Sequence, residues 1–378
     1  METTTPITCS DSYDHQNTQE SCIRGHIIAC SGGADHKDKG GERGLRKKVK
    51  RFFHSKASSN SSGVNSSSVA MASFETSYRG KLTSWPSVVI PAAPAAACGG
   101  SNKRALLCGV TYSHEHRYKL KGTANDVSNM KNLLTNIFGY PAECIRILSD
   151  DPFAQDLIPT KKNIENSLKW LVEGCKWGDS LVFYFSGHGL RQPDFQNDEI
   201  DGYDETICPV DFLKEGMILD NDINKTIVWP LKAGVRLHAI VDACHSGTIL
   251  DLEHVYNRKQ RTWINNLPPS GARKSTSGGL AISISACEDD KMAADTTVFT
   301  KKIMNGAMTY ILTETVKENP QITYGDLLDT MANHIENINS ERWIKSRIIR
   351  KVLRHKTIQE PMLSSSTKFA VYDTKFIL

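Results

Sequence analysis

From Arg104 onward the chain alternates short, nearly continuous apolar runs with longer amphipathic stretches, and this alternation limits the available folds more than any other feature. The runs at 105–110, 145–148, 181–185, 235–241 and 280–285 are near-continuous apolar stretches. That is the pattern of strands buried on both faces. Between them, 126–138 and 161–174 carry apolar residues at helical spacing. Further helices are expected at 306–318 and 324–338, and a last strand at 368–372. Strand and helix in alternation predict an α/β fold with a mostly parallel central β-sheet flanked by helices on both faces. The intervening stretch 341–356, with seven basic residues and one acidic, reads as a solvated surface insertion.

The first hundred residues lack this pattern. Seven of the twelve residues 57–68 are serine, and a Pro/Ala stretch follows that ends in Gly99 and Gly100; such a composition buries too little surface to fold. Residues 1–100 are therefore expected to be a disordered arm, and 101–378 the folded domain. Within the arm, 43–56 holds seven basic residues around Leu45, Val49, Phe52 and Phe53. It reads as a solvated charged segment, with a surface for anionic lipid or an acidic partner as the alternative. The arm also carries the whole charge excess. It has 12 basic and 8 acidic residues of a chain whose net charge is +4, and the remainder has 34 of each. A protein that coats a polyanion is excluded by this balance, and no nucleic-acid partner is expected.

No signal peptide opens the sequence, and no apolar run reaches the length of a membrane span. The longest candidate, 88–98, is interrupted by Pro91 and Pro94. Ten scattered cysteines do not form a secreted disulfide framework, so the cytosol or nucleus is the expected compartment, and a monomer the expected state.

Chemistry in an open α/β sheet gathers where strands end at their carboxyl edge. The run 181–185 leads into Ser186, Gly187, His188 and Gly189; the run 235–241 leads into Asp242, Ala243, Cys244, His245, Ser246 and Gly247. Small neighbours leave His188 and Cys244 approachable. An imidazole that takes the proton of a thiol yields the thiolate that attacks a carbonyl, and can then protonate the leaving amine. Either residue alone has a bland reading, as a buried inert thiol or a structurally bonded imidazole.

Together these blocks resemble a family. YFSGHG at 184–189 and DACHSG at 242–247, with IDGYDETICPVD between them, are similar to the catalytic blocks of the metacaspases, caspase-fold cysteine peptidases. The resemblance runs from about Arg104 to the carboxyl terminus. GMILDNDINKTIVWPL and the short interval before SISACEDD resemble most the type I plant subgroup. It implies a large-subunit-like part 101–252, a linker 253–279 and a small-subunit-like part 280–378. It also implies that Cys244 is the nucleophile, that His188 is the general base and acid, and that N–H groups near Gly189 and Cys244 stabilise the oxyanion.

Caspases proper have Gln where this chain has Asp242. A carboxylate there repels an acidic substrate residue and pairs with a cation. By the same resemblance Asp126 is the second acidic wall of the pocket and Ser186 its edge, although Asp126 could instead cap the helix that follows. The expected substrates are polypeptides with Lys or Arg before the cleaved bond. Thr123 stands where the family usually has Cys.

Residues 198–222 hold nine carboxylates against one lysine. A solvated loop would explain this, yet clustered oxygen ligands also suit calcium. The resemblance implies calcium ligands at Asp204, Asp220, Asn221 and Asp251, with Asn221 replacing a more usual aspartate. Calcium dependence implies self-processing in turn, and Arg258, Lys259, Arg261, Arg273 and Lys274 make 252–279 a candidate substrate, with an uncut linker as the alternative. Cys9, Cys22 and Cys30 form no Cys-x-x-Cys pairs, so no zinc ribbon is expected. Met71 is a candidate alternative start. By resemblance the protein is linked to programmed cell death or stress responses. A catalytically silent caspase-like scaffold is the rival function, and a zinc hydrolase using His188, Cys208 and Cys244 lacks the usual ligand spacing.

Overall fold

The structure is a computed structural model that describes residues 100–151, 157–268, 270–286, 295–296, 305–339 and 361–378, all within the unit Ser87–Leu378. The expectations for the arm and its basic segment, the 88–98 stretch, the 341–356 insertion and residues 287–290 lie outside these residues.

Each of the five apolar runs is a strand: β1 (Lys103–Gly109), β2 (Ile145–Ser149), β3 (Ser180–Ser186), β7 (Arg236–Asp242) and β10 (Leu280–Ser285). Between β3 and β7 lie β4 (Gly189–Pro193), β5 (Tyr203–Ile207) and β6 (Ile218–Leu219), a separate antiparallel sheet. After β7 come β8 (His254–Asn257) and β9 (Thr262–Asn265), and beyond β10 the short pair β11 (Asp295–Thr296) and β12 (Asn305–Gly306) and finally β13 (Met362–Ser365). The main sheet runs β2-β1-β3-β7-β10-β13-β8-β9. Its first five strands are parallel and its last three join antiparallel.

Four main helices occupy the expected stretches: α1 (Thr123–Asn136), α2 (Lys161–Val172), α3 (Ala307–Glu318) and α4 (Tyr324–Asn339). Thr160 caps α2, its hydroxyl accepting the Asn163 N–H at 3.3 Å. The pleat divides the sheet residues between two cores. Ala105, Leu107, Val182, Tyr184 and Ile240 face the layer of α1, α3 and α4, packing with Met130, Leu312 and Leu327 among others. Leu106, Cys108, Phe183, Phe185 and Val241 face Ile164, Leu168 and Leu171 of α2. Each such buried side chain contributes about 1.5–3 kcal/mol, which makes this two-sided burial the main anchor of the strand ends. The α/β layering read from the sequence is the layering found.

Two regions differ from expectation. The last strand is Met362–Ser365 rather than 368–372. Its run of serines hides it, because serine has neither the bulk nor the β-branching of a typical strand residue. Two of the serine hydroxyls bond to the neighbouring chain, Ser366 Oγ accepting the Ala281 N–H at 3.0 Å and Ser365 Oγ donating to the Ala281 carbonyl at 3.3 Å. In 368–372, Phe369 instead packs on Trp263 and Tyr324, with ring centroids 5.2 and 5.1 Å apart. The second difference is the segment 253–279. It begins with the β8–β9 hairpin, docked on β13 at the edge of the main sheet.

Candidate active site

Strand register places the two chemistry-bearing loops side by side. β3 and β7 are parallel neighbours, with Ser186 opposite Asp242, so His188 and Cys244 each lie two residues beyond a matched pair at the same sheet edge. The Gly187 N–H donates to the Asp242 carbonyl at 3.4 Å. A Cβ on Gly189 would collide with the Cys244 carbonyl oxygen, so only glycine lets the two loops approach this closely. His245, next to the thiol, takes a left-handed backbone with φ 50°, a conformation that costs on the order of 1 kcal/mol outside glycine.

His188 is held by its surroundings. Its Nε2 lies 2.7 Å from the Tyr118 carbonyl. A carbonyl only accepts, so Nε2 carries the proton and the neutral ring presents Nδ1 as its basic nitrogen. The Tyr112 ring lies 4.8 Å away, centroid to centroid. The Tyr112 hydroxyl accepts the His188 N–H at 3.0 Å and donates to the Cys208 carbonyl at 2.6 Å. Nothing in the sequence marks Tyr112 and Tyr118, because Tyr112 acts across space on backbone groups and Tyr118 acts through its own backbone carbonyl.

Cys244 differs from the other described cysteines. Cys108, Cys144, Cys175 and Cys208 are buried, whereas Cys244 is half-buried. Burial pushes the Cys208 thiol up to about 12 and raises those of Cys108 and Cys175, so these three stay protonated and unreactive.

Beside the dyad the structure brings Asp126, Ser186 and Asp242 together. Asp126 and Asp242 are buried at 1 % and 7 % exposure. Ser186 Oγ donates to Asp126 at 3.0 Å, and the Gly306 N–H donates to both Asp126 oxygens at 2.9 Å. Asp242 accepts the Thr309 N–H at 2.9 Å and the Thr309 hydroxyl at 2.7 Å. With that hydroxyl proton committed, Tyr184 donates to Thr309 Oγ1 at 2.7 Å. A Cβ on Gly306 would strike Asp242 Oδ2 and crowd Asp126 Oδ2, so this glycine sits between the two carboxylates. Asp126 is not the N-cap of α1: Gly122 holds that position and Asp126 lies inside the first turn. Thr123 is buried, with its hydroxyl 2.9 Å from that of Thr111. Sequence reasoning missed Gly306 and Thr309, which reach the pocket from a later part of the chain.

The second cluster is the acidic loop. Asp204, Asp220, Asn221 and Asp251 are all buried, at 3 % exposure or less. Of the four predicted ligands, Asp251 acts electrostatically on both Asp204 and Asp220, while Asn221 donates to Asp198 at 3.5 Å. Carboxylate oxygens of Asp194, Asp198 and Asp204 lie within 4.8 Å of one another. Glu199 also joins the hub. Burial, with Asp194, Asp198 and Asp251 nearby, lifts the Asp204 carboxyl to about 6; burial, then Glu205 and Asp251, lifts Asp220 well above the usual range. Asp204 Oδ1 is buried without a hydrogen-bond partner. An all-oxygen donor set with crowded, partly unsatisfied carboxylates fits a hard divalent cation such as calcium. The hub is tied to the nucleophile loop, since the Thr248 hydroxyl donates to Glu205 at 2.6 Å and Asn224 Nδ2 donates to the Leu250 and Asp251 carbonyls, both at 2.9 Å.

One cation already stands in the hub. Lys274 pairs with Glu199 at 3.0 Å and with Asp251 Oδ1, its side chain fully buried. Burial disfavours its charge, but Asp251 and Glu199 outweigh that cost and hold its pKa above the usual lysine range.

Comparison with known proteins agrees with the geometry. A family profile described as "Metacaspase, peptidase C14 domain" matches residues 103–253, a span that includes His188, Cys244 and Asp251. Metacaspase-1 of Arabidopsis thaliana is 44% identical over 289 residues, covering 73% of this chain and 78% of that protein. Metacaspase-3 of Arabidopsis thaliana is 43% identical, covering 73% and 75%. Metacaspase-1 of Meyerozyma guilliermondii is 35% identical, covering 71% and 70%. Among the described residues no helix is long and apolar enough to cross a membrane.

Proposed function

The chain belongs to the metacaspase family and is a cysteine-type endopeptidase of caspase-like α/β fold, and from that premise we propose that it cleaves polypeptides after Lys or Arg through Cys244 and His188, with calcium at the acidic hub as activator. The observation that carries this reading is the β3/β7 register, which aligns the two loops, together with the Tyr118 carbonyl that fixes the His188 tautomer.

In the proposed reaction the Cys244 proton passes to His188 Nδ1 and the thiolate attacks the scissile carbonyl carbon. N–H groups near Gly189 and Cys244 hold the oxyanion. Collapse expels the amine, which takes the proton from the imidazolium and leaves a thioester. His188 then accepts a proton from water as its oxygen attacks the thioester, and returns one to the departing Cys244 sulfur, releasing the acid. Substrate selection follows from Asp126 and Asp242. A Lys or Arg side chain would replace the Gly306 and Thr309 donors as their partner, so binding requires the start of α3 to move aside. A bound calcium ion would neutralise the crowded carboxylates. Glu205, through Thr248, and Asp251 would carry its effect seven residues along the chain to Cys244.

Self-processing belongs to this proposal, and exposure narrows its sites. In the connecting segment Lys259, Arg261 and Arg273 are exposed, Arg258 is half-buried against Asp329, and Lys274 is buried. The proposed bonds therefore follow Lys259, Arg261 or Arg273. Intact mass spectrometry of the wild type and Cys244→Ala after calcium addition tests this; identical masses would remove it. The main reading is tested with fluorogenic peptides ending in Arg, Lys or Asp, with and without calcium. Calcium-dependent cleavage after Arg and Lys is expected, and cleavage after Asp alone would overturn it. A link to cell death or stress responses rests on family membership and is tested by loss of the active gene product in the source organism.

A further inference from the structure

Lys274 is a connecting-segment residue with no part in the chemistry above, yet its side chain is fully buried. Its side-chain exposure is 0%, and the side chains of its partners Glu199 and Asp251 are each at 4%. A lone buried ammonium or carboxylate is strongly disfavoured, so the three groups depend on one another. Asp251 is also one of the four residues proposed to ligate calcium, and Asp198, Asp204 and Asp220 interact with it. The hub therefore holds an internal cation against one of the proposed metal ligands. Neighbouring Arg273 lies over the Trp229 ring at 5.5 Å and donates to Ser275 at 2.8 Å, so residues 273–275 lie pinned to the body through this contact and the lysine.

We propose that Lys274 and the divalent cation are alternative occupants of the acidic hub, with Asp251 shared between them, so that metal binding expels Lys274 and lifts residues 270–279 off the surface. This rests on the calcium reading above. Both occupants require Asp251, and a dication compensates the crowded carboxylates better than one ammonium does. Lys274 thus reduces the apparent affinity for the ion by the fraction of molecules it keeps closed. It also couples hub occupancy to exposure of the Arg273 bond, giving ion-dependent access to a candidate processing site.

The test uses the full chain carrying Cys244→Ala, which blocks self-cleavage. Two measurements are made with calcium chloride as the probe: calorimetric binding, and acylation of lysine amines read by peptide mass spectrometry. Lys274 is expected to resist acylation without calcium and to react as the ion saturates, while exposed Lys259 reacts equally in both conditions. Lys274→Met is expected to bind calcium about tenfold more tightly than its parent. Calcium binding with Lys274 still protected would overturn the exchange and leave the calcium site standing. No binding by either protein would remove the calcium reading and the exchange with it. If Lys274→Met fails to fold, acylation of the parent decides alone.

Discussion

The protein buries two groups of carboxylates near its catalytic loops, and they are stabilised in opposite ways. Asp126 and Asp242 are held by fixed dipoles: the N–H groups of Gly306 and Thr309 and the hydroxyls of Ser186 and Thr309. In the hub, the N–H groups of Glu205 and Asn221 hold Asp220, but Asp204, Asp251 and Glu199 have too few dipoles. Burial raises all four pKa values, one buried oxygen of Asp204 has no partner, and a lysine is drawn in from the connecting segment. Dipoles of the same chain can satisfy a carboxylate and still give way to a substrate cation, which suits a pocket that fills and empties. A set that dipoles cannot satisfy requires a cation at all times, which suits a switch.

The largest effect should fall between the two clusters. Cys244→Ala and His188→Ala should each lower kcat/KM by about a thousandfold or more. Calcium binding, measured by calorimetry, should stay unchanged, since neither side chain belongs to the hub. Residual turnover in Cys244→Ala close to wild type would end the mechanism.

The dipole-held pair comes next. Asp126→Asn and Asp242→Asn keep an oxygen to accept from Gly306 or Thr309, so the thermal midpoint should move by only a few degrees. Each should lower kcat/KM for Arg peptides about a hundredfold through loss of a charge-assisted contact. Unchanged Arg cleavage in Asp242→Asn would reduce that residue to an anchor for the start of α3.

The hub should give a smaller and different response. Asn221→Asp adds a charged ligand and should lower the calcium concentration for half-maximal activity several-fold, whereas Asp204→Asn should raise it about tenfold. Maximal activity at saturating calcium should be preserved in both. A fall in kcat without a shift in calcium requirement would erase the distinction between the clusters.

How much of this was legible in the sequence depends on distance along the chain. The strands β1, β2, β3, β7 and β10 were visible because two-sided burial demands continuous apolar runs. His188 and Cys244 were visible because small residues follow each strand end. β13 was not, since two of its four residues are serines that replace the usual apolar signal and its placement is decided by β10 and β8. Tyr112 and Tyr118 act on His188 through a hydroxyl and a carbonyl, neither of which leaves a residue-type signature. Gly306 meets Asp126 from 180 positions away, and Lys274 meets Glu199 from 75. Lys274 looked like one basic residue of an accessible linker; burial between two carboxylates makes it the opposite.

A buried titratable group outside both clusters supplies the smallest test. His238, on β7, stacks on Tyr324 and lies edge-on to Phe376, with Nε2 bonded to the Tyr324 hydroxyl and Nδ1 without a partner. Burial, aided by Arg236, depresses its pKa to about 3 from an ordinary 6.5. Between those values the unfolded chain binds a proton that the folded chain refuses, so stability falls as pH drops below about 6.5 and continues to fall toward 3. From pH 6.5 to 5 the loss from this residue is about 2 kcal/mol. Denaturant unfolding of Cys244→Ala at those two pH values should show it, and a His238→Gln version should lose about 2 kcal/mol less over the same interval. Hub carboxylates with raised pKa values act in the opposite direction, favouring the folded state as they gain protons. An equal pH dependence in both proteins would mean that His238 is protonated in the fold and that dipoles and cations together do not account for its buried charges.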